Sequence, residues 1–228
     1  MLLASIPKIV SKAFPSLVWQ VDEKEKVIYL TFDDGPIPET TEWILETLDK
    51  FDAKATFFCV GENVQKHPDL YEKILQAGHL TGNHTFNHLN GWTTDVNTYV
   101  ENVAKAAKLI KSDLFRPPRG MIRVTQAQEV LKNYNIVMWN VLSVDYDQNI
   151  SPEQCLKNVT SNAQEGSIVV FHDSIKAKTN MMYALPKTLA YFAERSYRFA
   201  SLNPLRYKVP KPSKVELAMA YAFARKHF

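Results

Sequence analysis

The chain alternates between short apolar runs and amphipathic stretches from Val27 to about Leu202. Runs rich in β-branched and aromatic residues predict buried strands, and apolar residues spaced three or four apart predict helices. The predicted strands cover residues 27–32, 53–61, 79–84, 114–118, 135–143, 167–174 and 197–202. The predicted helices cover residues 39–51, 67–78, 95–112, 125–134 and 185–196, and a further helix begins at Ser151.

This strand–helix alternation predicts parallel strands joined by right-handed crossovers, and therefore an α/β fold. About seven strand–helix units suit a (β/α) barrel better than an open sheet, and we expect a distorted barrel. The barrel domain is predicted at residues 27–202, after an N-terminal extension at residues 1–26. Residues 203–228 predict a Pro-rich, basic connector and a helix from Ser213 that packs on the barrel, with membrane or partner contact as the alternative.

The composition of the 228 residues is that of an ordinary folded domain, and the net charge of +3 is too small to predict a nucleic-acid partner. Cys59 and Cys155 are far apart and outside any C-x-x-C pair, which favours free buried thiols. The N-terminus has no basic segment ahead of its short apolar run, and no stretch is long and apolar enough to span a bilayer. A cytoplasmic location without a transmembrane segment is therefore predicted.

Polar residues lie at or just after the C-terminal ends of several predicted strands, which is where barrel enzymes have their active sites. These side chains are Asp33, Asp34, His84, Arg116, Asp145 and His172. Convergence of polar groups from separate strand–helix units indicates a functional site. Arg116 and Asp145 are also compatible with a buried ion pair or a loop cap.

Adjacent carboxylates such as Asp33 and Asp34 repel each other unless a cation or a shared proton compensates their charge. Taken alone, the Asp-Asp-Gly-Pro segment is typical of a turn. His84 and His88 are four residues apart, so on a helical turn their imidazoles would reach one ion. Two imidazoles and one carboxylate are ligands of a catalytic zinc site with an open fourth position. If Asp34 binds the metal, Asp33 is left as an unligated base.

An ordered series of motifs resembles the polysaccharide deacetylase family, the NodB-homology domains or family 4 carbohydrate esterases. The resemblance covers residues 27 to about 202, most of the chain. The matching segments are TFDDGP at 31–36, HTFNH at 84–88, Arg-Pro-Pro at 116–118, Asp-Tyr at 145–146 and Val-Phe-His at 170–172.

The resemblance implies a metal-dependent hydrolase that removes N-acetyl groups from N-acetylglucosamine polymers such as chitin and peptidoglycan. One divalent ion would be held by Asp34, His84 and His88. Zn²⁺ is favoured, although this ligand set also suits Co²⁺ or Ni²⁺.

Four more motif residues would act in proton transfer. By the resemblance, Asp33 is the general base and Arg116 orients it, while His172 is the general acid. Asp145 would hydrogen-bond to His172 and raise its pKa, so that the imidazole stays protonated near neutral pH.

Three residues are expected to contact the substrate. The segment after Pro118, which begins at Arg119, would supply a backbone N–H to the oxyanion. Val170 and Tyr146 would line a small apolar pocket for the acetyl methyl group.

Two positions depart from the family pattern and leave parts of the interpretation open. Arg119 stands where many relatives carry an aromatic residue, which puts the shape or charge of the substrate groove in question. Asn140 stands where relatives often have Asp, so the tuning of His172 is open as well.

The apparent lack of a leader conflicts with a wall polymer outside the cell. A soluble intracellular substrate, such as a short chito-oligosaccharide, a wall fragment or another N-acyl amide, would resolve the conflict, and so would an unrecognised export route. An inactive carbohydrate-binding barrel is a further alternative, but it predicts loss of the base or the acid, and Asp33 and His172 are both present.

Overall fold

The computed structural model describes residues 4–203, which form a curled sheet of parallel strands flanked by α-helices. The predicted connector and the predicted helix from Ser213 lie outside these described residues. The strands are β1 (Val27–Asp33), β2 (Thr56–Cys59), β3 (Leu80–Asn83), β4 (Leu114–Phe115), β5 (Asn135–Ile136), β6 (Val141–Leu142), β7 (Ile168–His172) and β8 (Arg198–Phe199). The α-helices are α1 (Lys8–Ala13), α2 (Thr40–Asp49), α3 (Gly61–Lys66), α4 (Pro68–Gln76), α5 (Val96–Ala107), α6 (Val124–Val130), α7 (Pro152–Thr160) and α8 (Lys178–Ala193).

Strand β1 lies near the centre of the sheet. The strand order is β5-β4-β3-β2-β1-β7-β6, every neighbouring pair is parallel, and β8 pairs with the N-terminal half of β1. Helices connect most successive strands, as parallel pairing requires. The curled sheet forms a half-barrel, which confirms the predicted distorted (β/α) barrel.

The sheet does not close directly, because within the described chain β5 and β6 are its two unpaired edges. The single strand predicted at residues 135–143 is therefore wrong, and two short strands stand there instead. Between them the backbone bonds to the N-terminal segment: the Met138 amide donates to the Val18 carbonyl at 2.7 Å, and the Ile6 amide donates to the Asn140 carbonyl at 3.0 Å. These contacts fill the gap between the two edges.

Successive side chains of β1 point to opposite faces of the sheet and so pack in two different hydrophobic cores. Ile28, Leu30 and Phe32 pack in the larger core between the sheet and the helices. Tyr29 belongs to a second core inside the curl of the sheet. Because side chains alternate along a strand, Asp33 falls on the inner side with Tyr29.

The sequence pattern does not predict helix α3, because it predicts a strand that ends at Gly61. The helix has 6 residues, and its buried residues are Gly61 and Val64. One apolar side chain is too few to produce a helical period.

The prediction of free buried thiols is confirmed, since Cys59 and Cys155 are both buried and form no disulfide. Among the helices of residues 4–203, none has the length and hydrophobicity needed to cross a bilayer. The cytoplasmic location and the lack of a nucleic-acid partner stay predictions.

Candidate active site

The predicted polar side chains meet at the C-terminal edge of the sheet, in three connected groups. The first group contains the candidate metal ligands, the second a buried aspartate–arginine pair, and the third an aspartate–histidine pair. Their members are Asp34, His84 and His88; Asp33 and Arg116; and Asp145 and His172.

The three candidate metal ligands converge. One ligand atom from each of Asp34, His84 and His88 lies within 4.8 Å of the other two. The Asp34 Oδ1 atom is 3.2 Å from His88 Nε2 and 3.8 Å from His84 Nε2. This spacing brings all three side chains within reach of one small cation.

The hydrogen bonding of His84 determines which ring nitrogen faces the site. His84 is fully buried, and its Nδ1 lies 2.8 Å from the carbonyl oxygen of Arg116. A carbonyl only accepts, so Nδ1 carries the proton. Burial, partly offset by the charge of Asp33, lowers the pKa of His84 to about 4, so the ring is neutral and Nε2 presents a lone pair.

Asp34 faces this lone pair as an ionised group. Burial alone would raise the pKa of Asp34, but the hydrogen bond with His88 and the charge of His172 outweigh it and lower the pKa. Two acceptor atoms, Asp34 Oδ1 and His84 Nε2, therefore point at each other. A divalent cation between them relieves this arrangement, and the carboxylate–imidazole–imidazole set fits such an ion.

The backbone that carries the two histidines is an irregular loop, so the predicted helical turn is wrong. Thr85 and His88 have positive φ values of 64° and 56°, which no helical turn contains. The loop is held by side chains instead: Asn83 Oδ1 accepts from the Thr85 amide, and Thr85 Oγ1 accepts from the Leu89 amide. The imidazoles converge because of these bonds rather than because of helical spacing.

Asp33 is held by a buried arginine. Arg116 Nη1 donates to Asp33 Oδ1 at 2.7 Å and to the hydroxyl oxygen of Thr31 at 2.7 Å. Thr31 and Asp33 are two residues apart on β1, so both face the inner side of the sheet. Asp33 Oδ2 is left for another partner.

Arg116 has no freedom to move away from this position. Its side chain is fully buried, with Nε bonded to the Val137 carbonyl and Nη2 to the Met138 carbonyl. The guanidinium also lies 4.1 Å from the ring centroid of Phe58. The contact with Arg116 therefore fixes the orientation of the Asp33 carboxylate. The sequence offered a buried ion pair and an orienting role for Arg116 as alternatives, and both correspond to this one contact.

Asp145 binds His172 through both of its oxygens. Oδ1 lies 2.7 Å from His172 Nδ1, and Oδ2 accepts from the His172 amide at 2.7 Å. Burial opposes a charged imidazole, but the carboxylate of Asp145 outweighs it and raises the pKa of His172 to about 9. The protonated Nε2 remains available to donate.

The predicted substrate residues differ in their surroundings. The Tyr146 ring packs edge-on against His172, with centroids 4.9 Å apart. Val170 is buried in a small cluster with Leu142 and Val144. Arg119 is exposed, has a φ of 59°, and has no side-chain hydrogen bond or ion pair with any residue from 4 to 203.

Asp173 is a buried residue near the site that the sequence motifs do not single out. It is 1% exposed, burial raises its pKa to about 7, and its carboxylate accepts from the Gly35 amide and the Thr41 hydroxyl, each at 2.7 Å. A signal was present, because Asp173 directly follows His172 at the end of a predicted strand. Consecutive strand residues point to opposite faces, so an acidic residue there faces the helix layer and needs a partner.

Comparison with known proteins identifies the family. The sequence profile described as polysaccharide deacetylase matches residues 20–139. A peptidoglycan-N-acetylglucosamine deacetylase of Bacillus cereus is 35% identical over 202 residues, which cover 84% of this chain and 94% of the relative.

Two solved structures extend this similarity to the fold. The Bc1960 peptidoglycan N-acetylglucosamine deacetylase, in complex with 4-naphthalen-1-yl-N-oxidanyl-benzamide, has a TM-score of 0.80 and 29% identity, covering 91% of this chain and all of that one. A mutant of BA3943, described as a CE4 family pseudoenzyme with restored enzymatic activity, has a TM-score of 0.75 and 26% identity, covering 85% and 72% of the two chains.

The fold and the site define a deacetylase-type hydrolase built on a distorted barrel. The chain belongs to the polysaccharide deacetylase family, as its motifs predicted, and its enzyme class is that of a polysaccharide N-deacetylase.

Proposed function

We propose that this protein is a metal-dependent hydrolase that removes N-acetyl groups from N-acetylglucosamine units of peptidoglycan- or chitin-like chains. The observation that carries the proposal is the convergence of Asp34, His84 and His88 beside the in-register pair Asp33 and His172. The peptidoglycan deacetylases among the relatives support the substrate class.

Asp34, His84 and His88 would hold one divalent ion, Zn²⁺ first among the candidates. When bound, such an ion supplies Lewis acidity: it makes water a stronger acid and polarises a carbonyl oxygen. Amides need this help because they are poor electrophiles with poor leaving groups. The Arg116 carbonyl keeps His84 in the tautomer that can bind.

Asp33 acts as the general base. Arg116 occupies Asp33 Oδ1, which fixes the carboxylate plane and leaves Oδ2 to take a proton from the attacking water. Asp33 is nearly buried, with 4% exposure, so bulk water does not compete for this atom.

His172 acts as the general acid. Because Asp145 holds Nδ1, the proton on Nε2 is the one donated to the departing amine nitrogen. The raised pKa of His172, about 9 in the metal-free protein, keeps this proton in place at neutral pH. Asp33 and His172 are register partners on the neighbouring strands β1 and β7. The group that removes a proton and the group that delivers one therefore lie next to each other at the same edge of the sheet.

The backbone amide of Arg119 is a candidate donor to the oxyanion. It follows Pro118, which has no N–H of its own, and the Arg119 amide has no acceptor within residues 4–203. A free N–H beside the site is the kind of preorganised donor that stabilises a developing oxyanion.

Two rivals remain: the same mechanism acting on a non-sugar N-acyl amide, and an inactive carbohydrate-binding barrel. The BA3943 neighbour shows that pseudoenzymes occur on this fold. Acetate release from peptidoglycan fragments, chito-oligosaccharides and small N-acyl compounds, each with and without chelator, separates the three. Chelator-sensitive release from the sugars supports the proposal, release only from small amides supports the first rival, and no release supports the second.

A further inference from the structure

Asp173 is a buried carboxylate that the proposed chemistry does not use. It follows the general acid His172 directly, and its amide donates to the carbonyl of Asp33 at 3.0 Å. Its side chain is 1% exposed and contacts the start of α2 and the loop after β1. That loop carries the candidate metal ligand Asp34.

One carboxylate oxygen of Asp173 binds this loop, and the other binds the first turn of α2. Oδ1 accepts from the Gly35 amide at 2.7 Å, and Oδ2 accepts from the Thr41 hydroxyl at 2.7 Å. The Thr41 oxygen in turn accepts from the Ile37 amide at 2.8 Å. One side chain thereby fixes two amides within four residues of Asp34.

The loop fits tightly around Asp173. A Cβ atom on Gly35 would lie 1.7 Å from Asp173 Oδ2, so only glycine leaves room for the carboxylate. The other side of the loop is held as well, because Asn63 Nδ2 donates to the Asp34 carbonyl and the Val60 amide donates to the Gly35 carbonyl. Asp34 itself has a φ of 88°, a conformation that a non-glycine residue keeps only under such restraint.

We propose that Asp173 is a positioning residue for the metal site, which ties the loop at residues 34–39 to the start of α2 so that the Asp34 carboxylate faces His84 and His88. The inference rests on the proposed function, since it takes Asp34 as a ligand.

A carboxylate suits this task better than its amide. Its two oxygens both accept, and here two donors converge on them from the Gly35 amide and the Thr41 hydroxyl. Asn at this position keeps one acceptor and presents an NH₂ group to the other donor. Asp173→Asn therefore loosens the loop with almost no change in side-chain volume.

The test uses the full chain stripped of metal and measures Zn²⁺ affinity by calorimetry and the visible absorption of the Co²⁺-loaded protein. We expect Asp173→Asn to weaken Zn²⁺ binding about 10- to 100-fold and to change the Co²⁺ spectrum, as loss of a supporting contact does at metal sites. The melting temperature of the metal-free protein reports separately on folding.

Two matched controls separate positioning from general damage. Asp145→Asn alters another buried aspartate next to His172 and should not weaken Zn²⁺ binding, because an imidazole that loses its proton more readily repels the cation less. Thr41→Val removes the second donor and should weaken Zn²⁺ binding, whereas Thr41→Ser keeps the hydroxyl and should restore it. If Asp173→Asn does not fold, the comparison of Zn²⁺ binding by Thr41→Val and Thr41→Ser tests the inference in its place.

The measurements distinguish a failure of the inference about Asp173 from a failure of the proposed function. If wild type binds no Zn²⁺, the proposed function fails and the inference fails with it. If wild type binds Zn²⁺ and releases acetate, while Asp173→Asn and Thr41→Val match it in affinity and spectrum, only the role of Asp173 is overturned.

Discussion

Asp33 and His172 stand directly opposite each other, in register on the neighbouring parallel strands β1 and β7. Each is held from behind by its own buried partner, Arg116 for Asp33 and Asp145 for His172. The proposed base and the proposed acid therefore each have a charge partner of their own, a cation for Asp33 and an anion for His172. Substitution of one charge partner should act mainly on the residue that it contacts, which makes the proposed roles separable by experiment.

The two adjacent aspartates should differ in what they do. Asp33→Asn should lower the turnover number by about 100- to 10,000-fold, the usual contribution of a general base, with the metal retained. Asp34→Asn and His88→Ala should lose the metal as well, because each removes one of three ligands. Metal content by atomic absorption and acetate release from one preparation check both points. Equal metal loss in all three variants would refute the division of labour.

The titration of His172 should reveal its pairing with Asp145. In the metal-free protein the imidazole should titrate near pH 9, above its ordinary 6.5. Asp145→Asn should lower this midpoint, because only the charges of Asp34 and Asp33 then oppose the effect of burial. Adding Zn²⁺ should lower the wild-type midpoint, since a nearby cation disfavours the imidazolium. Imidazole chemical shifts measured by NMR check these midpoints.

The same pairing predicts how stability changes with pH. Because the pKa of His172 is raised on folding, its contribution to the free energy of unfolding is complete below about pH 6.5 and is lost as pH rises through about 9. Urea unfolding of metal-free wild type and Asp145→Asn should therefore differ more at pH 6 than at pH 10. A difference that grows toward pH 10 would contradict the sign.

The sequence alone predicted the barrel and the candidate metal ligands that the structure brings together, because both depend on local patterns. Alternating strands and helices are visible as periods, and Asp34, His84 and His88 have side chains of the types that bind zinc. Asp33 and His172 could be located at the C-terminal edge of the sheet for the same reason, since each ends a recognisable strand, while their catalytic roles stay predictions.

What the sequence did not predict depends on contacts between distant residues. The bond from Gly35 to Asp173 spans 138 positions, and although the position of Asp173 after His172 indicates a need for a partner, the sequence does not show that Gly35 provides it. The positive φ angles of Thr85 and His88 arise because Asn83 and Thr85 side chains bind the loop backbone, which overrides the helical interpretation of the spacing. Long-range packing, rather than local propensity, decided these features.

Arg116 and Asp33 should be coupled energetically. Arg116→Met leaves Asp33 buried without its charge partner and should lower the free energy of unfolding by about 3–5 kcal/mol. The double variant Asp33→Asn with Arg116→Met removes both charges and should recover part of that loss. Urea denaturation of the four proteins gives the coupling by a double-mutant cycle. Additive effects would mean that the 2.7 Å contact contributes nothing of its own.

Arg119 should favour substrates that carry carboxylates. Its side chain is exposed, has no polar partner within residues 4–203, and directly follows the buried Pro118 on the loop whose Arg116 carbonyl binds His84. The peptide stems of peptidoglycan carry carboxylates that chito-oligosaccharides lack. An exposed ion pair is worth up to about 1 kcal/mol, so Arg119→Gln should lower kcat/KM on peptidoglycan fragments about twofold to fivefold and leave chito-oligosaccharide turnover unchanged.

Salt and a matched arginine make the Arg119 prediction specific. The wild-type preference for the carboxylate-bearing substrate should shrink between about 0.05 and 0.5 M NaCl, because exposed charges are screened over about 10 Å at 0.1 M. Arg195→Gln is the control, since Arg195 is an exposed arginine just after α8 that bonds to the Tyr191 carbonyl. If Arg119→Gln lowers kcat/KM equally on both substrates, the Arg119 side chain supports the loop and does not bind the carboxylates of the substrate.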